Sequence, residues 1–181
     1  MDDPIFQPYL PTIRHFAQNR LIIRPSKDED YESLVDMELA IFKELAPGLF
    51  RWYNENPGAF KSEFYGLEKQ NPEKRIFYTI ETPEKEIAGS GGLLQHDPEK
   101  KPDVAEISSI YLLKEYRGRK LGKTLVLDLI KKAEKLDYES VYLTTRKEFC
   151  AAVSLYKKLG FEKAKKQKYR GKNSVSLELK L

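Results

Sequence analysis

Residues 104–145 read VAEISSIYLLKEYRGRKLGKTLVLDLIKKAEKLDYESVYLTT. Their β-branched and apolar content predicts a strand over 104–113, and a polar turn follows at 114–118. Leucine and isoleucine at three- and four-residue spacing then predict a helix over 119–136, and 140–145 is a short strand. A strand–helix–strand unit of this kind favours parallel strands joined by a right-handed crossover.

Two predicted hairpins flank this unit. The first joins strands 75–82 and 87–96, and the second joins strands 161–169 and 174–181 at the end of the chain. Hairpins require antiparallel pairing. Three glycines inside 87–96 indicate a bulge or a close approach of two backbones.

The first part of the chain adds one strand and two helices. The strand is 21–24, and the first helix is 27–45, with Ser26 as its expected N-cap. A loop is expected at 49–56, and a second helix at 58–69. The fold class is therefore α+β (mixed α/β), with a mixed, mostly antiparallel sheet of about six to seven strands and helices on both faces.

Length and composition narrow the class of protein. The chain has 181 residues, one cysteine and two histidines, which favours a single domain over 21–181 without disulfides or a His/Cys metal site. Residues 1–20, with three prolines, are expected to form an N-terminal extension. No long apolar run and no basic leader are present, so a cytoplasmic protein without membrane spans is expected.

The net charge of +4 is unevenly spread. Residues 163–172 contain six cations and no acid, so the remainder of the chain is slightly acidic. This distribution argues against a globally basic nucleic-acid binder. The basic segment is expected to be an exposed, lysine-rich hairpin, and recruitment of an acidic substrate or RNA is the alternative.

Four cations cluster where the helix after the first long strand begins. They are Arg117, Arg119, Lys120 and Lys123, and no acidic residue occurs from 116 to 127. The positive end of a helix dipole disfavours cations by about 0.3–1 kcal/mol each, so a bound anion is indicated. The alternative is a solvated basic turn.

The same turn carries a motif of a known family. It reads Arg117-x-x-Lys120-x-Gly122, and it resembles the Gln/Arg-x-x-Gly-x-Gly/Ala pyrophosphate-binding pattern of the GNAT superfamily of acyl-CoA-dependent N-acyltransferases. A lysine stands in place of the first glycine.

A second signature lies further along the chain. Phe149-x-x-Ala152-x-x-x-Tyr156-x-x-x-Gly160-Phe161 is similar to the family pattern Asn-x-x-Ala-x-x-x-Tyr-x-x-x-Gly-Phe, without its asparagine. Both motifs have the family's separation, and the order of elements from 21 to 181 resembles the GNAT fold.

The resemblance implies where acetyl-CoA binds as co-substrate. The backbone of Ile110, Tyr111 and Leu112 is implied to lie along pantetheine, with the Ile110 N–H where the thioester oxyanion develops. The pyrophosphate is implied to contact seven consecutive residues: Arg117, Gly118, Arg119, Lys120, Leu121, Gly122 and Lys123.

The resemblance also implies two catalytic residues. Glu106, eleven residues before Arg117, corresponds to a general base, and its alternative role is a solvent-facing or lysine-paired strand residue. Tyr156 corresponds to the general acid that protonates the departing thiolate, and its alternative role is a core tyrosine.

Other reactive side chains have no partner pattern in the sequence. His15 and His96 are expected to face solvent, and Cys150 is expected to pack on its helix. The aromatic residues Phe50 and Trp52, with the neighbouring Tyr53, either wall a substrate pocket or pack against the sheet edge.

The predicted function is acetyl transfer from acetyl-CoA to a primary amine by direct attack in a ternary complex. The acceptor is a small-molecule amine or a protein amino group, no metal is needed, and the protein is a monomer or homodimer. The alternative is a non-catalytic acyl-CoA-binding regulatory module. An RNA-binding domain is disfavoured because the basic segment has a single aromatic residue, Tyr169, whereas such sites stack successive bases on several aromatic rings.

Overall fold

The computed structural model describes residues 15–16, 21–57, 59, 75–97, 99–165 and 173–181. The strands within these ranges are β1 (His15–Phe16), β2 (Leu21–Pro25), β3 (Ile76–Glu81), β4 (Ile87–Asp97), β5 (Lys101–Leu112), β6 (Ser140–Arg146), β7 (Glu162–Lys163) and β8 (Ser174–Lys180). They form one sheet in the order β1-β2-β3-β4-β5-β6-β8-β7. Six of the eight strands have five or more residues, and β1 and β7 have only two. The predicted sheet of about six to seven strands is therefore confirmed.

The α-helices of the described residues are α1 (Tyr31–Leu45), α2 (Pro47–Glu55), α3 (Leu121–Lys135) and α4 (Cys150–Lys158). A short 3₁₀ turn at Asp28–Asp30 precedes α1, and another at Lys114–Tyr116 precedes the loop that leads into α3.

Pairing within the sheet follows the predicted pattern. The β5 and β6 strands are parallel, and the other neighbouring strands are antiparallel. The parallel pair is the one joined through α3, as a crossover requires.

The two faces of the sheet carry different helices. On one face, Leu125 and Leu129 of α3 pack in the main core with strand residues such as Ile107. On the other face, Leu34, Met37 and Ile41 of α1 pack against Phe77 and Tyr111. Because successive strand residues point to opposite faces, this division places helices on both sides of the sheet, as predicted.

Two predictions for the first part of the chain are wrong. Residues 47–55 form α2 and not a loop. Pro47 is the first residue of this helix, a position for which the fixed φ of proline is well suited. The N-cap expected at Ser26 is also absent. Its hydroxyl is hydrogen-bonded to the Thr79 hydroxyl (2.6 Å), and the Asp30 carboxylate accepts the Lys27 N–H instead.

Three predicted features fall outside the described residues in whole or in part. The second helix at 58–69 is described only at residue 59, and the N-terminal extension only at residues 15–16. The basic segment 163–172 is described only as far as residue 165.

A buried ion-pair network ties β2 to β3 and to the start of α1. The Arg24 guanidinium donates to both oxygens of Asp30 (2.7 Å each) and to Glu81 Oε2 (2.8 Å). Burial alone would raise the pKa of Asp30, but the Arg24 hydrogen bonds and the Lys27 N–H hold it below its ordinary value. The pKa of Glu81 is likewise held low, since Lys85 and Arg24 outweigh its burial.

Arg24→Met is expected to destabilise the protein by about 3 kcal/mol in urea unfolding at pH 7, because it leaves two buried carboxylates without their main partner. Both folded pKa values lie below the unfolded values of about 4. The wild-type advantage is therefore full above that pH and shrinks as the pH falls below it. Lys27→Met is the control, since its side-chain pair with Glu29 is exposed and worth at most about 1 kcal/mol. Equal stabilities of the two variants would contradict the expectation.

Candidate active site

The parallel strands β5 and β6 separate halfway along their length. Their pairing runs from Val104 and Ser140 to Ile107 and Leu143 and then ends. The β6 strand continues beside β8 as far as Arg146, and β5 continues beside β4 as far as Leu112. The backbone of 108–112 therefore borders a gap that opens inside the sheet.

A β-bulge lies where this gap begins. Gly92 is paired with Ser108 but Ser90 with Tyr111, so β5 holds one extra residue. Ser109 has a φ of 52°, and its carbonyl accepts the hydroxyl of the buried Ser90 at 2.8 Å. The extra residue lies in β5, directly opposite the glycines of β4 that indicated a bulge or a close backbone approach.

The backbones approach closely at Gly89, where a Cβ would lie 2.7 Å from the Tyr111 carbonyl oxygen. At Gly91, a Cβ would lie 2.6 Å from Leu125 Cδ2 and 2.7 Å from Ile110 Cδ1. A larger residue at Gly91 would require these two side chains to move. The position of Ile110 beside the gap therefore depends on this residue.

Helix α3 begins beside the same strand end. Its first internal hydrogen bond joins the Thr124 N–H to the Lys120 carbonyl (2.9 Å). The N–H groups of Leu121, Gly122 and Lys123 precede that bond and lie at the positive end of the helix, which has no acid in its first turn. This arrangement can hold an anion.

The loop before α3 turns twice through the left-handed region. Gly118 has a φ of 77° and Lys120 a φ of 62°. A non-glycine residue pays about 1–2 kcal/mol for this conformation. Lys120 occupies the position where the motif has its first glycine, and this backbone geometry accounts for a glycine there. The Arg119 and Lys120 side chains are exposed, and the Arg119 guanidinium lies 5.7 Å from the Tyr116 ring centroid.

Arg117 is held by protein groups on two sides. Its Nε donates to the Leu112 carbonyl (2.9 Å), and its two terminal nitrogens donate to the two Glu44 oxygens (2.9 Å each). These hydrogen bonds hold the pKa of Glu44 below its ordinary value. The side chain thus joins α1 to the end of β5.

Glu106 is a buried carboxylate on β5, and its partner is His96 of β4. The distance from His96 Nδ1 to Glu106 Oε2 is 2.8 Å, and each side chain is 9% exposed. The imidazole also lies against the Tyr142 ring of β6, with centroids 4.1 Å apart. The expectation that His96 faces solvent is therefore wrong, because β4 continues past it to Asp97 and its ring is enclosed by Glu106 and Tyr142.

Tyr156 of α4 lies in the main core, 4% exposed, with its ring centroid 5.8 Å from that of Phe161. Burial raises its pKa well above the ordinary tyrosine value. Within the described part of the chain, no side chain or backbone group is hydrogen-bonded to its hydroxyl.

Glu106 and Tyr156 lie on opposite faces of the sheet. Ile107 belongs to the same cluster as α3 and Tyr156, and its neighbour Glu106 alternates to the other face. The structure therefore does not bring the two predicted catalytic side chains onto one face of the sheet. The gap between β5 and β6 opens beyond Ile107, the residue that follows Glu106.

A cluster of aromatic rings lies on the α1 side of the sheet, beside the gap between β5 and β6. The Phe42 ring stacks on Tyr53 (5.4 Å) and meets Tyr111 edge-on (5.3 Å), and Tyr111 meets Phe149 at 6.3 Å. Of the aromatic residues singled out in 49–56, Tyr53 is buried in this cluster, Phe50 packs at its edge and Trp52 is 48% exposed. Phe149, which stands where the second signature has asparagine, thus has a packing role.

Cys150 is exposed at the start of α4, so the expectation that it packs on its helix is wrong. Among the residues that the structure describes, no group of three or more metal-ligating side chains is found. In the same part of the chain, no helix is long and apolar enough to cross a membrane.

Comparison with known proteins agrees with this architecture. The sequence profile of the Acetyltransferase (GNAT) family matches residues 43–161. The chain belongs to this family of acyltransferases.

Its curated relatives are similar over parts of their length. An uncharacterised N-acetyltransferase of Schizosaccharomyces pombe is 43% identical over 61 residues, which is 34% of this chain and 37% of the relative. An uncharacterised N-acetyltransferase of Escherichia coli is 32% identical over 85 residues, 47% of this chain and 50% of the relative. The matches thus span half or less of these relatives.

Solved structures share the fold over nearly the whole chain. A GNAT-family acetyltransferase from Staphylococcus aureus has a TM-score of 0.69 at 18% identity, covering 88% of this chain and 98% of its own. A PaiA N-acetyltransferase from Thermoplasma acidophilum, solved in complex with coenzyme A, has a TM-score of 0.66 at 20% identity, covering 89% and 99%.

Proposed function

We propose that this protein is an acetyl-CoA-dependent N-acetyltransferase that transfers the acetyl group directly to a primary amine, with 21–181 as its single catalytic domain. The observation that carries the proposal is the gap between β5 and β6, which opens one residue beyond the buried Glu106, on the strand that runs into the loop before α3. The coenzyme A complex of the Thermoplasma acidophilum neighbour supports the choice of donor.

The residues present fit the phosphates of the donor. The first N–H groups of α3 would hold the pyrophosphate, and the exposed Arg119, Lys120 and Lys123 would supply positive charge around it. Among the described residues, a Cβ at Gly122 would meet only Leu112 Cδ1, at 3.5 Å, so they leave the backbone there open to a ligand. Arg117 would act mainly by fixing the end of β5 through Leu112 and Glu44.

Acetyl-CoA would supply an acyl group activated as a thioester. The Ile110 N–H, set by the bulge, would stabilise the oxyanion that forms on its carbonyl. Glu106 would take a proton from the ammonium form of the acceptor, which leaves a neutral amine to attack. Tyr156 would give its proton to the thiolate as the C–S bond breaks. Solvent would accept the proton from Glu106 and the second amine proton, which is lost as the C–N bond forms, and would reprotonate Tyr156.

The buried tyrosine suits this last role in one respect. Because burial raises its pKa, Tyr156 stays protonated throughout the neutral and mildly basic range and always has a proton to offer. The same shift makes full transfer to a thiolate less favourable. A hydrogen bond from the Tyr156 hydroxyl to the developing charge would therefore stabilise the leaving thiolate before full transfer.

An amine panel tests the function as a whole. Small amines, polyamines, amino acids and peptides with a free N-terminus are incubated with acetyl-CoA, and free thiol is measured. Amine-dependent thiol release is expected for at least one class. Binding of acetyl-CoA without turnover of any amine would instead support the non-catalytic acyl-CoA-binding module.

Glu106→Gln is expected to lower kcat/KM most at low pH, where the amine arrives as ammonium and needs a base, with partial recovery at high pH. The pH dependence of kcat/KM is measured for the best acceptor. A higher amine KM with an unchanged pH profile would show that Glu106 only binds a cationic acceptor. Unchanged kinetics in a folded variant would remove Glu106 from the mechanism.

A further inference from the structure

His96, the hydrogen-bond partner of Glu106, has no role in the chemical steps described above. His96 and Glu106 come from adjacent antiparallel strands, with Leu94 directly opposite Glu106. His96 lies two residues beyond Leu94, where the register of the two strands is irregular between Gln95 and Asp97. The 2.8 Å contact between its Nδ1 and Glu106 Oε2 places the two side chains on the same face. Tyr142 lies opposite Glu106 on the other side, in β6.

These three strands hold the imidazole from two directions. One ring edge meets the carboxylate at 2.8 Å, and one ring face lies against Tyr142 at 4.1 Å. Tyr142 is itself only 1% exposed, so it is a fixed surface. The imidazole, at 9% exposure, therefore has little freedom to turn away from Glu106.

A neutral imidazole that bonds a carboxylate through Nδ1 must carry its proton on Nδ1. This donor satisfies the buried Oε2 of Glu106 and fixes the plane of the carboxyl group. A general base must lie within about 2.6–3.2 Å of the proton it takes. Fixing the carboxylate plane is thus directly relevant to the rate.

We propose that His96 is a positioning residue for Glu106, which holds the carboxylate in the orientation needed to take the acceptor's proton. This inference rests on the proposed function. His96 acts through Glu106, so its contribution depends on a carboxylate at position 106.

Other titratable groups lie near the His96–Glu106 pair on β4, β6 and β8. Tyr142 is in contact with it, and Glu178 of β8 is paired opposite Tyr142. The Glu178 carboxylate accepts the Ser140 hydroxyl (2.9 Å). Asp97 follows His96 along β4 and accepts the Lys100 N–H. These groups also contribute to the pH dependence of kcat in variants of His96.

A double-mutant cycle tests the dependence on Glu106. His96→Leu is expected to lower kcat about tenfold with little change in acetyl-CoA affinity, and His96→Asn, which keeps an N–H near the Nδ1 position, is expected to recover most of it. In the Glu106→Gln background, His96→Leu is expected to change kcat less than about twofold. Independent, multiplying losses would overturn the proposal, as would an active His96→Leu enzyme with a wild-type pH profile.

The wild-type protein provides a second readout that needs no activity. With only two histidines in the chain, His15→Gln assigns the His96 ring in ¹⁵N NMR spectra. The Nδ1-protonated tautomer is expected, and the Nε2-protonated tautomer would overturn the proposal. If no amine is acetylated, the proposed function fails while this spectrum still reports on the pair.

Discussion

Tyr156→Phe is expected to lower kcat by about 10²-fold, the lower range of one proton-transfer contribution, while acetyl-CoA affinity stays close to that of the wild type. The hydroxyl is the only group removed, and the ring continues to pack against Phe161 in the core. The thiolate then leaves without a proton donor. Steady-state kcat under conditions where chemistry limits turnover measures the effect, and isothermal calorimetry measures the affinity.

Tyr138→Phe is the matched control for this experiment. Tyr138 is also 4% exposed, and burial raises its pKa to about 12. It follows α3, and the proposed mechanism gives it no part. Its replacement is expected to leave kcat unchanged. An unchanged kcat in Tyr156→Phe, or an equal loss in both variants, would remove Tyr156 as the acid.

Gly122→Glu is expected to abolish stabilisation by acetyl-CoA, because it places bulk and negative charge among the first N–H groups of α3. For the wild type, a concentration 100 times the Kd adds about 2.7 kcal/mol of stability. In a chain of this size, that raises Tm by about 5–10 °C. Thermal unfolding with and without acetyl-CoA measures the shift.

Two glycine variants separate the charge from general damage. Gly48→Glu makes the same change on α2, where a Cβ meets none of the described residues within 4 Å, and is expected to keep the full shift. Gly122→Ala adds only a Cβ at ordinary contact distance from Leu112 and is also expected to keep it. A full shift in Gly122→Glu would place the phosphates elsewhere and remove the main support for the cofactor site.

The local pattern was sufficient for most of the fold. The apolar spacing of 119–136 predicted α3, which is observed at Leu121–Lys135, and the strand–helix–strand unit predicted the parallel pair β5 and β6. Cations and glycines at 117–123 indicated the helix start because they are consecutive in the sequence. The missed helix α2 shows the limit, since its nine residues are too few for periodicity to separate from an aromatic loop.

The partners within the site were not predictable in this way. Arg117 meets Glu44 across 73 positions of sequence, and His96 meets Glu106 across adjacent strands. Each residue alone matches an ordinary exposed cation or histidine. Only the strand register decides that the ring and the carboxylate share one face, and a shift of one residue would separate them.

The sequence by itself therefore determined the order of elements, the sheet class and the loop that begins α3, because these depend on neighbours three or four residues apart. The tertiary structure alone decided the end of β5–β6 pairing, the partner of Arg117 and the burial of His96 beside Glu106. These features depend on the register and packing of distant segments, whose contacts form only when the whole sheet is assembled.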